Sequence, residues 1–154
     1  MNSGLLERIG ANGAPIPVTE AGQRAALMQG EPLHRAFRPN LPADYPAHME
    51  QMAGEGAHIL QLEDGGDICA IAVWRTYLTT YCGRRFEVDD LVTAEGQRSK
   101  GYGATLMRAL EAKARALGCG AVMLTSGTWR VDAHRFYFRE RFAISSFLFV
   151  KNLT

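Results

Sequence analysis

Arg98-Ser99-Lys100-Gly101-Tyr102-Gly103 places two cations and two glycines within six residues. That combination suits a phosphate-bearing ligand. Glycine has no Cβ, so the main chain can approach an anion closely and turn as it needs to. Arg98 and Lys100 add full charges. The flanking stretches complete the device. Phe86–Thr93, ahead of the loop, is rich in Val, Leu and Phe and reads as a strand. Behind it, Leu106, Met107, Leu110, Ala114 and Leu117 recur at helical spacing. A helix starting near Gly101 leaves its first amides without intrahelical acceptors, and its dipole gathers partial positive charge at the same point. Strand, glycine loop and helix together predict a cradle for a diphosphate. Two common phosphate motifs are excluded. A dinucleotide fingerprint requires Gly or Ala where Leu106 stands, and no Gly-Lys pair is followed by Ser or Thr.

The pattern that remains is R-x-x-G-x-G. With its surroundings, EVDDLVTAEGQRSKGYGATLMRALEAKARALG, it resembles the coenzyme motif of the GNAT family, the acetyl-CoA-dependent N-acetyltransferases. A second stretch, AHRFYFRERF from Ala133 to Phe142, resembles the family's later motif, a short helix carrying an alanine, a Phe-Tyr pair and then Gly-Phe. Arg141 stands where that glycine usually sits, and Arg130 replaces an asparagine often found three residues before the alanine. The resemblance implies acetyl-CoA as cosubstrate. It implies that Arg98, Ser99, Lys100, Gly101, Tyr102, Gly103 and Ala104 hold the diphosphate, chiefly through main-chain amides. The backbone of Leu91, Val92 and Thr93 is then expected to pair with the pantetheine arm.

Acetyl transfer from a thioester to an amine makes three chemical demands. The ammonium must lose a proton, the oxyanion needs donors, and the departing thiolate benefits from a proton. Glu87 is the leading general base, directly or through a water, because the resemblance puts a catalytic glutamate at this spacing in some members. By strand alternation Asp89 shares its face, while Asp90 points the other way unless a bulge intervenes. Crowded carboxylates raise one another's pKa, which suits a base working near neutrality. The competing reading is an acidic rim for a cationic substrate, or carboxylates pairing with Arg84 or Arg85. Tyr137 stands where many members carry the general acid; otherwise it is a half-buried helix aromatic. His134 reads as a capping or hydrogen-bonding histidine, with general base as the lesser alternative. Trp74, Arg75, Tyr77 and Tyr81 are candidates to line the acceptor site, and Trp129 and Arg130 follow a strand at a position where loops meet ligands.

These residues need a scaffold. Residues 1–13 form an N-terminal extension, either frayed or with an extra helical turn, and 14–154 one domain. The pattern predicts a strand over Pro15–Thr19, a helix capped by Thr19 to about Met28, and a proline-broken loop from Gly30 to Pro46 overlapped by a helix over about 43–53. Strands over 57–63 and 68–80 flank the turn Asp64-Gly65-Gly66-Asp67. The helix at the glycine loop ends near Gly118 and is followed by a strand over 121–126, a helix over 131–140 and a last strand over 143–152. This order predicts an α/β (α+β) fold with a mixed sheet and helices on both faces. The resemblance specifies a mostly antiparallel sheet of six or seven strands, splayed between the fourth (Phe86–Thr93) and fifth (Ala121–Ser126).

The 154 residues, 47% hydrophobic with a net charge of +1, are expected to form one globular domain with no bulk charge directed at nucleic acid or membrane. Cys69, Cys82 and Cys119 match no zinc or redox spacing, so no metal is expected and reduced thiols in a cytoplasmic enzyme are the simple reading. No stretch approaches membrane-spanning length. The expected function is transfer of acetyl from acetyl-CoA to the primary amine of a small, cationic acceptor in a ternary complex. The alternatives are a non-catalytic acyl-CoA-binding regulatory module and a protein or aminoacyl-tRNA N-acetyltransferase. A homodimer is compatible with the chain.

Overall fold

The computed structural model describes residues 5–154; residues 1–4 of the expected extension lie outside the described residues. The chain falls into two compact units, one running through Met123 and one comprising Leu124–Thr154. In chain order the elements are β1 (Leu6–Gly10), β2 (Pro15–Ile16), α1 (Gln23–Phe37), α2 (Tyr45–Gly54), β3 (Ala57–Asp64), β4 (Asp67–Thr79), β5 (Gly83–Thr93), α3 (Tyr102–Ala116), β6 (Val122–Leu124) and α4 (Val131–Arg139). The sheet order is β2-β1-β3-β4-β5-β6. β1 runs parallel to β3, and the pairs β1/β2, β3/β4 and β4/β5 are antiparallel. The mixed six-stranded open sheet with helices on both faces is the α/β fold expected from the pattern.

Side-chain alternation assigns the two faces. Ile59, Ile71 and Val73 pack with Leu27 of α1 and Tyr45 and Met49 of α2. The intervening residues of β3 and β4 point to the opposite face, which α3 covers with Leu106, Met107 and Leu110, all fully buried. There Trp74 stacks between His58 and Phe86, and Lys113 of α3 lies over the Trp74 ring. Burying each large aliphatic side chain contributes about 1.5–3 kcal/mol. α3 ends in a Schellman motif. Gly118 takes φ 72°, its N–H donates to Arg115, and the Cys119 N–H donates to Ala114.

Three sequence expectations need correction. Leu6–Gly10 is neither frayed nor helical but a strand, aligned with β3 from Leu6↔Ile59 to Gly10↔Glu63. Its hydrogen bonds come from a partner some fifty residues away, and a local pattern carries no trace of that. The strand expected over 15–19 shrinks to Pro15–Ile16.

The proline-broken loop is the second correction. After a short 3-10 turn at Glu20–Gly22, capped by Thr19, α1 runs unbroken through Gly30 and Pro32 to Phe37. A mid-helix proline costs about 3 kcal/mol. The buried stripe Ala26, Leu27, Gly30 and His34 continues across it, so packing on the sheet outweighs that cost. Gly30 lets the helix lie close to the sheet there. A Cβ on it would lie 2.4 Å from Nε2 of the buried Gln61, which donates to the Ala26 carbonyl at 2.9 Å.

The third correction concerns the C-terminus. Residues 143–154 form no strand, and Ile144, Phe147, Leu148, Phe149 and Val150 are exposed. A β-favouring composition becomes a strand only beside a neighbouring backbone, and none of the described residues pairs with this segment. No helix among the described residues is long and apolar enough to cross a membrane.

Candidate active site

The glycine loop is shaped by two left-handed residues, Ser99 at φ 70° and Gly101 at φ 82°. Gly101 is the N-cap of α3, and the first intrahelical bond runs from the Thr105 N–H to the Gly101 carbonyl at 2.9 Å. The amides of Tyr102, Gly103 and Ala104 therefore have no acceptor within the helix. Among the described residues no main-chain carbonyl accepts from the amides of Ser99, Lys100 or Gly101 either. Consecutive N–H groups around left-handed residues make a concave anion nest. A Cβ at Gly101 would meet nothing within 4 Å, so the glycine is demanded by its backbone angle and not by lack of room. The residues present fit a diphosphate. The Tyr102 hydroxyl donates to Asp64 in the β3–β4 turn and ties the start of α3 to the sheet; that bond holds its pKa up at about 12.

The acidic stretch of β5 contains a β-bulge. Its register against β4 passes from Trp74↔Val88 to Val73↔Asp90, so Asp89 is an extra residue. Glu87 lies opposite Arg75, Asp89 bonds to the Arg75 guanidinium, and Asp90 lies opposite Val73. Val73 and Arg75 flank Trp74 and point away from its face. The bulge thereby turns Glu87, Asp89 and Asp90 toward the α1–α2 side together.

Each acid has its own arginine. Glu87 pairs with Arg85 of the same strand, whose Nη1 also donates to the Tyr81 hydroxyl at 2.8 Å. Asp89 pairs with Arg75 at 2.7 Å. Asp90 receives Nε and Nη2 of Arg38 on Oδ1 and Nε2 of His34 on Oδ2, the latter at 2.8 Å. The other His34 nitrogen, Nδ1, meets the Tyr45 hydroxyl at 2.9 Å. The expectation that crowding raises the carboxyl pKa values therefore fails for Asp90. Burial pushes it up, but hydrogen bonds from His34 and Arg38 outweigh that and hold it below its ordinary 3.8. Burial drives Tyr45 well above the ordinary tyrosine range, so its hydroxyl stays protonated and can donate to Nδ1, leaving the Nε2–H of His34 for Asp90.

Pattern reading missed His34 and Arg38 because they lie in the stretch assigned to a loop, and Tyr45 because it falls where that loop overlaps the helix expected over about 43–53. His34 lies in the last turn of α1 and Arg38 directly follows the helix, a placement that appears only once α1 is extended past Pro32. Of the proposed acceptor-lining residues, Trp74 is buried in the aromatic stack on the α3 face, away from the acids. Arg75 belongs to the acidic face, while Tyr77 and Tyr81 remain exposed beside Arg85. Leu91, Val92 and Thr93 are half-buried, each paired with β4 on one side. A groove of about 1110 Å³ opens at the β1–β2 side, lined by Leu6, Arg8, Gln23, Glu50 and His58, with no residue of β5 or the glycine loop in its walls. No cluster of His, Cys, Asp and Glu able to hold a metal occurs among the described residues.

In the second unit Tyr137 lies on α4, with its ring edge-on to Phe136 and Phe142. Arg141 adopts φ 65°. Its N–H donates to Phe138, and the Phe142 N–H donates to Tyr137 at 2.9 Å, which completes a Schellman cap with an arginine at the position suited to glycine. His134 meets the Gly127 carbonyl through Nε2 at 2.9 Å, the hydrogen-bonding role expected of it. Trp129 is exposed, and no cap hydrogen bond is made by the Arg130 side chain at the start of α4.

Comparison with known proteins adds the following. Residues 29–142 match the sequence profile of the acetyltransferase (GNAT) family. An uncharacterized N-acetyltransferase of Bacillus subtilis (strain 168), YhdJ, is 47% identical over 70 residues, which are 45% of this chain and 49% of the relative. This match spans about half the relative's length. The aminoalkylphosphonate N-acetyltransferase of Salmonella typhimurium (strain LT2) is 28% identical over 128 residues, 82% of this chain and 79% of that one. Among solved structures, the aminoglycoside N-acetyltransferase AAC(6')-Iy, in complex with the bisubstrate analog CoA-S-monomethyl-acetylneamine, superposes with a TM-score of 0.75 at 12% identity, over 84% of this chain and 92% of that one. At that identity the likeness is one of fold.

Proposed function

Because the chain belongs to the acetyltransferase (GNAT) family, we propose that it transfers an acetyl group from acetyl-CoA to the primary amine of a small acceptor by direct attack in a ternary complex. One observation carries the reading. The amides from Ser99 to Ala104 converge at a left-handed loop before α3, within the stretch that matches the family. These amides receive the diphosphate of the coenzyme, with Arg98 and Lys100 adding charge, and the backbone of Leu91, Val92 and Thr93 receives the pantetheine arm. The bound coenzyme supplies the activated acetyl thioester.

The chain's own groups then handle the protons. Glu87 or Asp89 takes the proton of the acceptor ammonium, directly or through a water, so that the lone pair is free to attack. Each of these two acids is held by a single arginine, whereas both oxygens of Asp90 are already engaged. Asp90 is therefore an anchor and not a base. Tyr137 returns a proton to the departing thiolate, the role its position in the family motif implies. The activity of the Salmonella relative, on aminoalkylphosphonates, supports a small-molecule amine over a protein or tRNA acceptor. Free thiols at Cys69, Cys82 and Cys119 suit the reducing cytoplasm proposed for it.

Calorimetry with acetyl-CoA, together with thiol release across a panel of amines, tests this. Binding with turnover is expected. Tyr137→Phe and Glu87→Gln should each slow transfer by about a hundredfold while leaving coenzyme affinity nearly intact. Tight binding with no turnover on any amine would favour the regulatory module, and absence of binding would end the reading.

A further inference from the structure

The acids of β5 invite a polycation in the sequence, but in the fold they present a balanced surface. Glu87, Asp89 and Asp90 are matched by Arg85, Arg75 and Arg38. A polyamine laid on this face would have to displace those guanidiniums or lie against them, and like charges repel. We infer that the acceptor carries an anionic group in addition to its amine, and that Arg38 is the residue that receives that group. This deepens the acetyl-transfer reading above and rests on it.

Arg38 is unlike the other two arginines. It stands just past the end of α1, and its side chain is 51% exposed against 26% for Arg75 and 23% for Arg85. Despite that exposure it is firmly oriented. Nε and Nη2 both donate to Oδ1 of Asp90, at 2.9 and 2.5 Å, and the guanidinium lies over the Phe37 ring at 4.5 Å. Asp90 is itself fixed from behind by His34, and His34 by Tyr45; the side chain of Asp90 is 13% exposed and that of His34 2%. The buried chain Tyr45–His34–Asp90 thus has both carboxylate oxygens engaged within the protein, and it aims Arg38. Nη1 of Arg38 has no hydrogen-bond partner among the described residues. A guanidinium with one edge spent on a buried carboxylate and the other presented outward is suited to a carboxylate, phosphate or phosphonate. The rotamer entropy of the long side chain is lost before the ligand arrives, so less is lost on binding.

The spacing suits a small molecule. The anchor of Arg38 is the residue next to Asp89, one of the two acids available to the amine. The anion and amine subsites therefore lie within the length of one short acceptor. His34 and Tyr45 are positioning residues in this scheme, acting only through Asp90.

The test compares matched amines. β-Alanine and 2-aminoethylphosphonate each carry an amine and an anion, ethanolamine the amine alone, and spermidine several amines; the first two separate carboxylate from phosphonate chemistry. In the unaltered protein, kcat/KM for the better anionic amine should exceed that for ethanolamine and spermidine by about tenfold or more. Arg38→Met should erase most of that ratio, with the KM for acetyl-CoA unchanged within about twofold. Arg24→Met, which breaks the exposed Arg24–Glu50 pair, serves as the charge-loss control and should leave the ratio alone. A second readout needs no turnover. Titration with each anionic amine, with and without coenzyme A, should shift the Arg38 Nε–H resonance, and ethanolamine should not. Equal use of ethanolamine or spermidine, an unchanged ratio in Arg38→Met, or an unmoved Arg38 signal overturns the inference. Failure to acetylate any amine while the Arg38 signal still moves would count against acetyl transfer and leave the anion site standing.

Discussion

At the scale of single residues, the glycine loop proposed to hold the coenzyme depends on one backbone angle more than on its charges. Gly101 sits at φ 82° with open space around its missing Cβ. An alanine would therefore clash with nothing, yet it would pay about 1–2 kcal/mol for the left-handed conformation. The loop is expected to relax toward negative φ and turn its amides away. Gly101→Ala should raise the dissociation constant for acetyl-CoA by about tenfold, read by calorimetry, with little change in the unfolding midpoint. Arg98→Ala or Lys100→Ala should cost less, since both side chains are exposed to solvent and screened. If the side-chain variants proved worse than Gly101→Ala, the main-chain account of the cradle would be wrong.

At the scale of elements, two helix ends solve the same problem with different residues. α3 stops with Gly118 in the left-handed position and α4 stops with Arg141 in it. Both make the paired hydrogen bonds of a Schellman motif, and α4 adds the Phe142–Tyr137 ring contact that usually accompanies it. Arginine meets a steric cost there that glycine does not. Arg141→Gly should therefore stabilise the protein by about 1 kcal/mol, measured as an upward shift in the urea midpoint. A neutral or negative shift would mean that the arginine side chain supplies a compensating interaction. α1 shows the opposite balance. It tolerates Pro32 because its buried stripe runs on to His34, and the helical turn beyond the proline is the one that delivers His34 and leads to Arg38.

At the scale of the whole molecule, pH should act through two buried groups with different windows. His58 stacks on Trp74 with its Nδ1 buried and unpartnered among the described residues. Burial lowers its pKa below 6.5, and the opposing pull of Glu7 is the weaker cause. The unfolded chain takes up a proton as pH falls through 6.5 while the folded chain resists, so stability is lost below pH 6.5 and is unaffected above it. Asp90 is held below 3.8 in the fold; its contribution is present above 3.8 and lost as pH falls through the lower, folded value. Urea midpoints should therefore be flat from about pH 8 to 7, decline through pH 6 to 5, and fall again below pH 4. His58→Gln should flatten the first decline and leave the second. A first decline that survives the substitution would assign it to another group.

Much of this protein is legible in its residue order, because the relevant physics is local. The glycine loop, the helical stripe of α3, the Asp64–Asp67 hairpin turn and the Ala133–Phe142 motif each occupy one continuous stretch. Periodicity and missing Cβ atoms report directly on such stretches. What required the tertiary structure involves partners far apart in the chain. β1 exists because β3 lies beside it, α1 continues because the sheet covers its stripe, and residues 143–154 form no strand because none of the described residues pairs with them. The acidic run of β5 shows the division most clearly. Its three carboxylates are evident from the sequence, but a single bulged residue set their common direction, and arginines just past α1 and in β4 and β5 balance their charge. Register and pairing between distant segments are properties of packing, so the electrostatic character of the acidic face was decided only when the chain closed on itself.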